Sequence, residues 1–130
     1  MRNILITIAT VLTELMVLMF FTGAARIAAA DEPFAVKGTL VDALCFKKDG
    51  AAKALSADHL ACAKDCAKKG SPVGVFVEGM GLVRITGDYP TKNTAKVLDL
   101  MGKQVEAKGS RVRGNDYTYL IEVTTLTPAK

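Results

Sequence analysis

The chain has 130 residues, with 17 basic and 13 acidic side chains, one histidine, three cysteines and no tryptophan. That length suits one domain, and a net charge of +4 is too modest to argue for a nucleic-acid partner. Half of the residues are hydrophobic, a figure that an N-terminal apolar run inflates.

That run spans residues 4–21, follows Arg2, and is interrupted only by Thr7, Thr10, Thr13 and Glu14. Ala28-Ala29-Ala30 then supplies a small-residue cleavage site, with Asp31-Glu32-Pro33 beyond it. A positive start, an apolar stretch and an A-x-A site in that order predict a secretory signal peptide over 1–30, cleaved after Ala30. The run is near the lower length for a membrane span, and Glu14 in its middle opposes stable insertion. Retention as an N-terminal anchor is the alternative. The expected product is a periplasmic or secreted protein, a single domain over 31–130 with no stable span. Losing Arg2, Arg26 and Glu14 leaves it at about +3. A domain of about a hundred residues gains from a covalent or metal staple.

Residues 36–42 alternate and predict a first strand. Residues 43–57 predict a connection carrying Cys45 and a Lys47-Lys48-Asp49-Gly50 turn. Next comes a helix capped by Ser56, with Asp58 in its first turn, Lys68 and Lys69 in its last, Gly70 just past its end and Pro72 beyond. Residues 73–78 and 82–86 predict a hairpin around Gly79-Met80-Gly81, and Gly87-Asp88-Tyr89-Pro90 a break. A second helix is expected over 94–101, with Ala95, Leu98 and Met101 as its apolar stripe and Gly102 at its end. Residues 104–113 predict a fourth strand with a bulge near Gly109, where the alternation slips. Gly114-Asn115-Asp116 predicts a turn, and 117–126 a fifth strand.

The expected fold is therefore mainly β with two helices: a five-stranded OB-like barrel with a Cys/His-bearing helical insertion between strands one and two. Gly38 and Gly109 suit the bent strands of a small barrel. A ferredoxin-like sheet would want helices after strands one and four.

The sharpest chemical signal is the insertion. His59, Cys62 and Cys66 stand at i, i+3 and i+7, one face of a continuous helix. With Cys45 from the end of strand one they form a candidate Cys₃His site for one zinc or copper ion. The competing reading is a disulfide from Cys45 to Cys62 or Cys66, in a stapled module without metal; thiol redox chemistry is a third. A Cys62–Cys66 bridge inside an intact helix is disfavoured by the Cβ directions, and C-x-x-C-H, the haem attachment motif, does not occur. No serine–histidine–acid set is available, since His59 is the one histidine, so an enzyme is the weakest reading. Arg111, Arg113, Tyr117 and Tyr119 have the makings of a basic aromatic face for single strands, but export and the modest charge oppose nucleic acid. The partners expected are a metal ion and a protein of the cell envelope.

Leu40-Val41-Asp42-Ala43-Leu44-Cys45, His59-Leu60-Ala61-Cys62-Ala63-Lys64-Asp65-Cys66 and Gly70-Ser71-Pro72-Val73-Gly74 together resemble a group of small exported bacterial proteins. Their pattern is V-D-x-x-C, H-x-x-C-A-x-x-C, G-x-P-[VI]-G. The resemblance covers most of the expected domain and implies a shared architecture and site but no reaction. Phe46 stands where the pattern often has tyrosine. The C-x₃-C spacing also resembles the copper motif of Sco-type chaperones, without the proline that follows it there.

Overall fold

The computed structural model describes residues 32–114 and 119–130. The expected signal peptide with its cleavage site, the Asn115-Asp116 turn and Tyr117 lie outside the described residues.

The sequence alternation becomes a sheet with one buried face. In β1 (Pro33–Asp42), Val36, Gly38 and Leu40 turn inward while Lys37 stays exposed. The strand begins three residues earlier than its alternation predicts, because Pro33 to Ala35 pair with Ser110 to Lys108 of β4 (Gln104–Arg113). From Thr39 to Asp42, β1 pairs instead with β2 (Val73–Val77), in the register Thr39 with Phe76 and Asp42 with Val73. One bent strand thus serves two neighbours. β2 forms the expected hairpin with β3 (Gly81–Thr86), β3 runs parallel to β5 (Tyr119–Pro128), and β5 returns antiparallel to β4. The hydrogen-bonded order is β1-β2-β3-β5-β4, and β4 closes back on β1. The expected irregularity is present between Lys108 and Gly109.

Inside this ring Leu40, Val75, Val83, Val105, Ile121 and Leu126 are fully buried. Burial of each such side chain contributes roughly 1.5–3 kcal/mol. The mainly β class and the five strands agree with the sequence reading.

The helices differ from it in number and placement, four among the described residues rather than two. The stretch expected as a connection is α1 (Ala43–Ala54), helical on either side of a break at Gly50, where φ is 83°. Its start is set by Asp42, which is extended and whose side chain accepts the Cys45 N–H. Cys45 therefore sits in a first helical turn, not at a strand end.

The helix that carries the other two cysteines, α2 (Leu60–Lys68), is shorter than expected, because Ala57–His59 form a tighter 3₁₀ turn. Ser56 makes no side-chain cap; its Oγ donates to the Lys53 carbonyl at 2.8 Å. A short helix, α3 (Tyr89–Lys92), occupies the expected break, and α4 (Thr94–Leu100) follows. The buried residues of α4 are Val97 and Leu100, with Met101 beyond, whereas Ala95 is exposed. Met101 is buried as predicted, but Val97 and Leu100 take the places expected of Ala95 and Leu98, because they pack into the core cluster.

A candidate thiolate metal centre

The end of the β1–β2 pair assembles the site. Asp42, the last residue of β1, lies opposite Val73, the first of β2. α1 leaves the sheet at Asp42, and α2 returns to it just before Val73. The first turn of α1 and the last turn of α2 are therefore side by side. The Ala43 N–H donates to the Pro72 carbonyl at 2.8 Å and ties the two ends together.

The return is a tight C-terminal stop. Gly70 N–H donates to the Ala67 carbonyl at 3.1 Å, and Ser71 N–H to the Cys66 carbonyl at 3.0 Å. This is the paired pattern of a Schellman motif, with Gly70 left-handed at φ 88° as the sequence predicts. The motif fixes the backbone of Cys66 itself.

On α2, Leu60, Ala63 and Ala67 form the core-facing stripe. Cys62 and Cys66, four apart, share a neighbouring face, Cys66 half-buried and Cys62 exposed. Cys45 is half-buried across from them, and all three cysteines are thiols. A carboxylate oxygen of Asp42 and the sulfurs of Cys45 and Cys66 lie within 4.8 Å of one another.

Asp42 is 1 % exposed. Its Oδ1 accepts the Cys45 N–H at 2.8 Å, while Oδ2 is buried without a hydrogen-bond partner. An unmet buried carboxylate oxygen is costly, so a carboxylate placed beside two thiols points to a cation or a proton as its partner.

The electrostatics are those of thiols held protonated. Burial pushes the Cys45 thiol up from 9.0 to about 11, and the adjacent Asp42 carboxylate, then Cys66 and Cys62, add to the rise. Burial also raises Cys66, helped by contact with the Cys62 thiol and by the Asp42 charge, while Lys69 acts in the opposite sense. Without a cation this pocket disfavours thiolates; a bound cation reverses the balance.

Of the four residues expected to converge, the structure brings Cys45 and Cys66 together and sets Cys62 against Cys66. Cys62 and His59 are both outside the 4.8 Å group, and the His59 Nε2 is buried without a partner. His59 stands seven residues before Cys66, about 10 Å along the helix axis, and the cluster forms at the other end of α2. Asp42 is the residue the sequence reading missed. Its signal was an acid at the end of a strand and three residues before Cys45, the spacing of a helix cap.

The basic aromatic face is only partly described. Arg111 lies over the Phe34 ring, 4.4 Å from its centroid. Among the described residues, no helix is long and apolar enough to cross a membrane. The chain matches no protein-family model, no curated protein and no solved structure.

Proposed function

We propose that the protein is a small exported metal-binding protein whose ion is held by Asp42, Cys45 and Cys66, with Cys62 as the accessible fourth donor. The observation that carries this reading is the buried Asp42 carboxylate, its Oδ2 unpartnered, beside two sulfurs. A divalent cation would satisfy that oxygen and offset the burial of the thiolates. An oxygen donor among thiolates favours zinc over Cu(I), which prefers sulfur throughout. Zinc–sulfur bonds of about 2.3 Å set ligand sulfurs about 4 Å apart, so the group would close only slightly. Export after Ala30 and an OB-like barrel belong to the same reading. The ring order β1-β2-β3-β5-β4, with α4 between β3 and β4, supports the barrel. The role is that of an accessory, carrier or structural site, with a cell-envelope protein as partner, rather than an enzyme.

The nearness of the Cys45 and Cys66 sulfurs favours one second reading, a disulfide between them in an oxidising compartment. Metal analysis and thiol counting on freshly purified, unreduced protein separate the two. One zinc per chain, lost in Cys66→Ser and retained in His59→Ala, is the expected result. No metal and a single free thiol would overturn the metal reading in favour of the staple.

A further inference from the structure

A groove of about 620 Å³ runs between the first part of α1, Pro72 and the outer face of β3. Its size falls within the range of small-molecule sites. Ala43, Leu44, Phe46, Pro72 and Leu82 give it apolar walls, and Lys47 and Arg84 its two charges, both positive.

Each part of the groove follows from the fold. Val83 and Ile85 point into the core, so Leu82 and Arg84 face out. Gly74 of β2 lies opposite Arg84. A Cβ at Gly74 would stand 2.8 Å from Leu82 Cδ1, so the absent side chain lets Leu82 lie flat as the floor. Phe46 is held by Phe76, with ring centroids 5.3 Å apart. Leu44, 57 % exposed, stands at the rim with its side chain largely in solvent.

Arg84 distinguishes this groove. Its Nε is buried without a hydrogen-bond partner, and neither Arg84 nor Lys47 forms an ion pair among the described residues. A neighbouring cavity of about 520 Å³ contains Lys37, but that lysine lies 3.9 Å from Glu106, and Glu78 lines the same wall. There the charges are answered by the protein itself. In the Leu44–Arg84 groove they are not. A ligand that complements it carries an anion that accepts from a guanidinium, joined to an apolar body that covers Leu44, Phe46 and Leu82.

We propose that this groove binds a small amphiphilic carboxylate, its carboxylate on Arg84 and Lys47 and its apolar part along Leu44, Phe46 and Leu82. The proposal does not depend on a metal at the thiol cluster. Calorimetric titration with decanoate below its micelle concentration tests it, with decanol and decyltrimethylammonium as neutral and cationic probes of the same chain length. Decanoate should bind once per chain, and the other two at least ~10-fold more weakly. Arg84→Met should lower decanoate affinity at least ~10-fold with an unchanged circular dichroism spectrum. Leu44→Ser, at an exposed position that folding does not need, should weaken it several-fold. Failure of decanoate to bind, decanol binding equally well, or undiminished binding in Arg84→Met would each overturn the proposal.

Discussion

Asp42 has two separable tasks. Its Oδ1 caps α1, and its carboxylate, with Oδ2 unpartnered, lies beside two thiols. Asparagine caps a helix about as well as aspartate but offers no anionic oxygen. Asp42→Asn should therefore keep the fold, with urea stability within about 1 kcal/mol of the parent, while zinc affinity measured by chelator competition falls at least ~10-fold. Asp42→Ala should lose both, and the missing cap alone costs about 1 kcal/mol. The thiols add a pH dependence whose sign follows from the raised pKa values. Cys45 binds its proton more tightly folded than unfolded, so its contribution to metal-free stability is complete below pH 9.0 and disappears as the pH rises toward about 11. Melting curves of metal-free protein should fall across that window, and Cys45→Ala should flatten the fall. Zinc binding must displace these protons, so its affinity should rise with pH, about tenfold per pH unit for each ligating thiol.

At the scale of elements, the site depends on how α2 stops. Gly70 is left-handed, and its N–H and that of Ser71 close the last turn of α2 onto Ala67 and Cys66. A side chain in that conformation costs roughly 1–2 kcal/mol. Gly70→Ala should lower the melting temperature by about 4–8 °C per kcal/mol lost, as for domains of this size. This C-terminus was legible in the sequence because Lys-Lys-Gly-Ser-Pro encodes it locally. The bulge at Gly109 was legible for a similar reason, since alternation within one strand reports its own register. α1 was not. Its composition, with Lys47-Lys48-Asp49-Gly50 at its centre, resembles a turn, and the helix does break at Gly50. What makes it helical is the Asp42 cap and the hold of Pro72 on Ala43, a contact from 29 residues away in the chain.

For the molecule as a whole, the ring of strands and the thiol cluster make different demands on stability. Leu40 is fully buried in the core cluster, and Leu40→Ala should cost about 2–5 kcal/mol in urea unfolding. Its zinc stoichiometry should remain that of the parent protein under conditions where the variant is folded. Zinc, in turn, should stabilise the parent in proportion to saturation, by about 2.7 kcal/mol at a free concentration a hundred times its Kd. A melting temperature that does not move with added zinc would count against the site.

The sequence by itself determined the five strands, their two-residue alternation, the stop at Gly70 and the suspicion that cysteines at 45, 62 and 66 belong together. All of these are encoded in short windows, where periodicity, caps and turn residues act through nearest neighbours. Only the tertiary structure decided that Asp42 joins Cys45 and Cys66 while His59 stays outside, and that an outward arginine on β3 lines one groove with an exposed leucine on α1. Those pairings rest on the register of Asp42 with Val73 and of Gly74 with Arg84. Register is a property of two strands distant in the chain, settled by how their buried faces fit together rather than by either strand alone.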